Sequence, residues 1–541
     1  MSERWFKEAV IYCLDVETFQ DSNGDGVGDF GGLIQRLDYL DRLGVTCLWL
    51  NPIHPSPNRD DGYDVTDYYN VDPALGTLGD FVELMHQASN RGLRVIIDLV
   101  VNHTSDQHPW FQAARSDPAS PYRDWYIWSP TEPTDARQGV VFPGDQATTW
   151  TYDDEAEAWY YHRFYDFQPD LNIANPDVRE EIKKILGFWL QLGVSGFRMD
   201  AAPFVIELTH PNEPEAEHRF EILEELRDRL SWRRGDATIL AEANVARDEV
   251  VQYFGDGNRL PMLFNFLLNQ RTFLALARSD PAPLVGALEA SPAIPDSCTW
   301  ATFLRNHDEV DLGRLGDKER DEVFAAFGPE ESMQLYGRGI RRRLAPMLGN
   351  DHLRIRMAYA LQATLPGTPV IRYGEEIGMG DDLSLPERNA IRTPMQWSSA
   401  KNAGFSTAPA KKLCRPVVND GEFGFENVNV VAQRRDPDSL LSWMERMFRT
   451  LRECPEFGTG RCTALDVGRD STVLALRFDA PTGVVVAFTN LADEPCTVDV
   501  SHIDDRDEPL DIFADDEYEL TSPGFEAIDL NGYGFRWIRL R

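Results

Sequence analysis

Apolar and polar positions follow two rhythms along the first third of the chain. Residues 9–14, 45–50 and 93–101 are short, nearly continuous apolar runs, as strands buried on both faces require. Between them lie stretches with apolar residues at helical spacing. One holds Leu33, Ile34, Leu37, Leu40 and Leu43 and stops at Gly44; another covers 81–88 and stops at Gly92. Strand–helix–strand units of this spacing predict a parallel sheet with right-handed crossovers.

The rhythm breaks after His103. Residues 104–174 are rich in Pro, Asp, Trp and Tyr and nearly aperiodic, which predicts a long functional excursion or a small subdomain. Alternation resumes with a helix over 176–192, strands over 196–200, 238–242, 302–307 and 368–373, and a helix over 439–451. Beyond 458, β-branched runs such as 471–478 and 483–490 are separated by turns, which predicts an antiparallel β domain.

The charge narrows the function classes. Asp and Glu number 89 against 53 Lys and Arg, a net charge of −36. A nucleic-acid binder needs cations against phosphate, and docking on anionic membranes needs them too, so neither partner is expected. No apolar stretch is long enough to span a bilayer, and Met1–Glu8 lacks a signal-peptide core. The seven cysteines, at 13, 47, 298, 414, 454, 462 and 496, form no CxxC pair. Reduced thiols and a cytoplasmic location are expected, with no organic cofactor; homo-oligomer formation is left open.

Several predicted strands end in polar residues. Arg198 and Asp200 close one and share a side by alternation; Glu242 closes the next; Asn306, His307 and Asp308 close a third. In a (β/α)8 barrel such ends converge on one face, where chemistry is done. Three carboxylates there suit glycosidic bond cleavage, which needs an ionised carboxylate at the anomeric carbon and a protonated acid at the leaving oxygen. Arg198 is expected to keep Asp200 ionised, and a less paired Glu242 to hold a proton near neutral pH. A separate loop places Asp21, Asn23, Asp25, Val27 and Asp29 at alternate positions, which predicts a structural Ca²⁺ site with a carbonyl from Val27.

These motifs together resemble the α-amylase family of glycoside hydrolases and transglycosidases. Residues 98–103, 196–200, Glu242 and 306–308 match its strand motifs in order and spacing. The resemblance implies a TIM barrel of 1–103 and 175–457, an inserted domain B of 104–174, and a C-terminal β-sandwich domain C of 458–541. It implies Asp200 as nucleophile, Glu242 as general acid/base and Asp308 as transition-state stabiliser.

Residues 168–172 (QPDLN), 60–64 (DDGYD) and 392–397 (RTPMQW) resemble the α-glucosidase-like branch of that family. The branch implies that Asp60 pairs with Arg388, Arg392 being the second candidate, to close the pocket around glucose O4. It implies Tyr63 stacked on the sugar ring, its hydroxyls held by His103 and His307, and Gln168 and Arg198 in the binding set. Asn244 is expected to orient an acceptor glucose. A second Ca²⁺ is implied on Asn102, Asp170 and Glu207.

The implied chemistry is retaining and acts on a small disaccharide. It either interconverts maltose and trehalose by intramolecular transfer through a β-glucosyl-Asp200 intermediate, or releases glucose by hydrolysis. Phosphorylated disaccharides would need a basic subsite, for which Arg372 or the Arg341–Arg343 run are the candidates.

Overall fold

A computed structural model describes residues 4–134, 136–144, 146–211, 217–468, 471–500, 509–518 and 527–540. Eight parallel strands close into a barrel: β1 (Ile11–Leu14), β2 (Cys47–Leu50), β3 (Arg94–Leu99), β4 (Gly196–Met199), β5 (Thr238–Ala241), β6 (Met262–Phe264), β7 (Thr299–Phe303) and β8 (Thr368–Arg372). Each pairs with the next in sequence, and β8 returns to β1 with Val370 opposite Ile11.

Alternation sorts the strand residues into two cores. Ile11, Cys13, Trp49, Ile96, Leu240 and Phe264 pack together inside the barrel. Their neighbours Tyr12, Leu48, Ile97, Ile239 and Leu263 pack outward against the helices. Strands buried on both faces explain the near-continuous apolar runs in the sequence.

Helix boundaries have local causes. Asp29 caps Phe30–Leu43 by accepting from Gly32 N, and Gly44 ends that helix at φ 95°. Thr77 and Asp80 form a reciprocal capping box on Leu78–Asn90. Asn175 caps Pro176–Gln191, whose proline sits where no N–H is needed.

Two barrel strands differ from the sequence reading. β6 was not anticipated, because three residues carry too little periodicity to register. β7 spans Thr299–Phe303 rather than 302–307, so Asn306, His307 and Asp308 lie in the loop beyond it. Asp308 is therefore not on a strand next to that of Glu242; β6 stands between β5 and β7.

After β3 the chain enters a three-stranded antiparallel sheet, in the order Trp128–Ser129, Ala158–Tyr161, Trp150–Asp153. Bridges from His103 to Asp170 and from Tyr126 to Leu171 tie this segment together near its two ends. Near the C-terminus, Arg461–Ala464, Val473–Ala480, Gly483–Asn490, Phe535–Leu540 and Pro509–Ala514 form a five-stranded sheet in that order. Helix Leu440–Arg452 links it to the barrel, with Trp443 against Phe513 and Phe535. Among the described residues no helix is long and apolar enough to cross a membrane. The seven cysteines are free thiols.

Candidate active site

Register places the central group. Asp98 of β3 and Leu240 of β5 both lie opposite Arg198 of β4. Asp200 and Glu242 follow Arg198 and Leu240 by two residues, so alternation turns them all to the barrel mouth. The Arg198 guanidinium is buried. Its Nη1 donates to Asp200 Oδ1 at 2.6 Å and to Asp98 Oδ1 at 3.2 Å, and its Nη2 donates to Glu242 Oε2.

Glu242 is thus paired, against the expectation of a free acid, yet its side chain keeps 30 % exposure toward the cavity. Burial first, then the Asp200 and Asp308 carboxylates, overcome Arg198 and push its carboxyl up to about 7. One guanidinium holding an oxygen of each keeps Asp200 and Glu242 close, as the roughly 5 Å separation of a retaining pair demands.

Asp308 stands in the loop after β7, where its backbone N–H is held by Asn306 Oδ1 at 3.0 Å. Its Oδ1 faces Arg388 Nε at 3.3 Å and Arg392 Nη2 at 3.1 Å; its Oδ2 faces His307 Nε2 at 3.2 Å. Burial alone would raise this carboxyl, but the Arg388 and Arg392 guanidiniums hold it well below the usual range. Burial drives the His307 pKa well down, so its ring is neutral.

These groups face a cavity of about 620 Å³, lined also by Asp60, Tyr63, His103, Asn244 and Arg388. Gln168, Arg198 and Arg392 do not line it. Gln168 Nε2 donates to Asp60 Oδ2 at 2.8 Å, and Arg392 supports Asp308 from behind. The expected Asp60–Arg388 pair is corrected: the Arg388 side chain binds Glu309 at 2.7 Å, while its charge only lowers an Asp60 carboxyl that burial lifts to about 7. Arg392 pairs instead with Asp61 at 2.5 Å.

The rings of Tyr63 and His307 are nearly parallel, 13° between planes with centroids 5.7 Å apart, and Tyr63 lines the cavity. Its hydroxyl donates to Asp98 Oδ2 at 3.0 Å and lies 2.7 Å from His307 Nε2. His103 Nε2 lies 3.1 Å from the Tyr63 carbonyl and fixes that loop. Asn244 Nδ2 donates to Asp311 Oδ2 at 3.1 Å, and Arg314 Nε donates to Asn244 Oδ1 at 3.1 Å, so its amide holds the 309–314 loop at the cavity wall.

Sequence reasoning missed Glu309 and Phe142. Glu309 directly follows the Asn306–Asp308 motif, a signal that could have found it. Phe142 comes from the aperiodic insert and lies under the Arg388 guanidinium at 5.3 Å, with Tyr336 beyond it at 5.0 Å. Nothing local in the sequence announces that contact.

The metal expectations fare differently. In the 21–29 loop, Asp21 Oδ1 accepts from the N–H groups of Asn23 and Gly24, and its Oδ2 from Gly26 N and Ser406 Oγ. Asn23 and Asp25 accept from the N–H groups of Asp25 and Val27, and Asp29 from Ser22 and Gly32. The donor set has the oxygen chemistry Ca²⁺ prefers, and internal hydrogen bonds also close the loop. Among the described residues no three His, Cys, Asp or Glu side chains gather as a metal cluster.

The second implied set does not fit a cation. Arg163 ion-pairs with Glu207, so a guanidinium already supplies the positive charge there. Asn102 Nδ2 donates to Asp170 Oδ2 at 3.1 Å, which a shared metal ligand pair would not do. Nor is there a phosphate subsite on the named arginines. Arg372 is buried against Asp15 and Asn51, Arg341 holds the carbonyls of Leu383, Leu385 and Glu387, Arg342 faces Asp381 at 3.3 Å, and Arg343 binds Glu375.

This barrel and this constellation define a protein of one family: the chain matches the catalytic-domain model of α-amylase over residues 13–326 and 340–457, and it belongs to the α-amylase family. It is 40 % identical over 552 residues to a trehalose synthase of Pimelobacter sp. (strain R48), covering 99 % of this chain and 96 % of that one. It is 46 % identical over 480 residues to a trehalose synthase of Thermus thermophilus, covering 88 % of this chain and 49 % of that longer protein. The crystal structure of an α-amylase from H. orenii superposes with a TM-score of 0.80 at 28 % identity, over 99 % of this chain and all of that one.

Proposed function

We propose that the protein is a retaining α-glucosyl-transferring enzyme that interconverts maltose and trehalose. The observation that carries this reading is the Asp200–Arg198–Glu242 bridge at a cavity mouth, in a chain similar along 99 % of its length to a trehalose synthase.

Asp200, positioned by Arg198, attacks the anomeric carbon of the non-reducing glucose. Glu242, held protonated near neutral pH, gives its proton to the leaving glycosidic oxygen. The products are a β-glucosyl ester on Asp200 and a glucose still in the cavity. That glucose turns, its anomeric hydroxyl loses a proton to Glu242, and its oxygen attacks the anomeric carbon of the glucosyl ester. The Asp200–sugar bond breaks as the new 1,1-linkage forms. Asp308, fixed by Arg388, Arg392 and His307, stabilises the positive charge on the sugar ring in both steps. Hydrolysis to glucose uses the same groups with water as the acceptor, so exclusion of water decides the product.

The test uses unlabelled maltose with ¹³C-labelled free glucose in the medium. Trehalose without label supports intramolecular transfer. Trehalose labelled as the free pool is labelled, or glucose as the sole product, contradicts it.

We also propose a structural Ca²⁺ held by the oxygens of Asp21, Asn23, Asp25, Val27 and Asp29, on the strength of their alternate spacing and hard-oxygen chemistry. A cytoplasmic location is the reading supported by the seven free thiols.

A further inference from the structure

A second chamber of about 250 Å³ lies beside the catalytic cavity, on the other side of the Asp61–Arg392 pair. Its lining includes the polar side chains of Asp15, Asn51, His54, Asp61 and Arg415. His54 is 4 % exposed, and neither of its ring nitrogens has a partner in the protein. Asn51 is 5 % exposed, and its Nδ2 has none either. Buried polar atoms of this kind facing a cavity of this size are satisfied by ordered water.

Two successive side chains, Asp61 and Arg392, connect this chamber to Asp308. Asp61 lines it and binds Arg415 on one oxygen and Arg392 on the other, the latter at 2.5 Å. Arg392 in turn reaches Asp308 Oδ1 at 3.1 Å and donates to the His307 carbonyl at 2.8 Å. Asp308 and His307 line the catalytic cavity. Glu17 anchors the far side of Arg415 at 2.5 Å.

We propose that Asp61 is a specificity-determining positioning residue: its ion pairs with Arg392 and Arg415 seal the glucosyl-enzyme from a water chamber beneath the site and so favour transfer over hydrolysis. The inference rests on the transfer reading above. Water that passed the seal would arrive beside Asp308. It would add its oxygen to the anomeric carbon while Glu242 takes its proton, giving free glucose and regenerating Asp200. Asp61→Asn removes the charge that holds both arginines while keeping the shape. Arg415→Lys removes the fork that binds Asp61 from the chamber side.

The experiment measures the fraction of converted maltose that ends as glucose, a ratio that does not depend on the overall rate. The wild type is measured first; glucose as its sole product would refute the transfer reading itself and is thereby told apart. Given transfer in the wild type, the glucose fraction is expected to rise at least threefold in Asp61→Asn and to rise in Arg415→Lys, with Asp61→Glu restoring most of the wild-type ratio. Thermal melts identify the folded variants. An unchanged ratio in folded Asp61→Asn overturns the proposal; should that variant not fold, an unchanged ratio in Arg415→Lys overturns it.

Discussion

Arg198 and Asp200 stand two residues apart at the end of one barrel strand, and their side chains meet at 2.6 Å. The same guanidinium reaches Glu242, so one buried cation holds an oxygen of both the nucleophile and the acid. The reaction depends on that arrangement more directly than on any other contact in the site.

Replacing Asp200 by Asn leaves an amide that cannot attack the anomeric carbon. Turnover of maltose is expected to fall at least about 10³-fold. Glu242→Gln removes the proton donor and is expected to cost about 10²–10⁴-fold on maltose. A substrate with an acidic leaving group, such as an aryl α-glucoside, needs no proton there. First-turnover aryl release should therefore recover in Glu242→Gln but not in Asp200→Asn. Stopped-flow absorbance checks both.

The pH profile follows from Glu242. Its carboxyl is pushed up to about 7 by burial and by the Asp200 and Asp308 charges. The acid must be protonated to act, so kcat/KM on maltose is present below that value and lost as pH rises through about 7. Glu242→Gln should abolish this alkaline limb. A limb that persists in the variant would assign it to another group.

Asn244 shapes the acceptor side by holding Asp311 and Arg314. Asn244→Ala frees the 309–314 loop from the cavity wall and is expected to raise the glucose fraction several-fold with little change in melting temperature. Product chromatography and a thermal melt read the two effects separately.

Chelation tests the 21–29 loop. A bound ion stabilises the folded state by mass action and sits apart from the reacting groups. EDTA is expected to lower Tm by several degrees, with recovery on adding Ca²⁺, while kcat below the melting range changes less than twofold. An unchanged Tm would refute the metal site.

The sequence disclosed the barrel because seven of its strands are apolar runs separated by capped helices, and their bounds are read to within a few residues. The strand Met262–Phe264 was lost because three residues give no period, and β7 was set too late because apolar Phe303 and Leu304 straddle its end. The reacting carboxylates were legible as polar ends of strands. Their partners were not. Arg388 takes Glu309, 79 residues away in the chain, instead of Asp60, and Arg392 takes Asp61. Which carboxylate meets which guanidinium is settled by loop packing above the barrel, and no local pattern encodes it.

The most direct test of the central claim starts from both sides of the proposed equilibrium. Purified protein is incubated separately with maltose and with trehalose, and the sugars are followed by chromatography to completion. The account predicts that each disaccharide yields the other, that both mixtures approach one composition, and that glucose stays a minor product. Glucose as the main product from either sugar, or no conversion of maltose to trehalose, would contradict it.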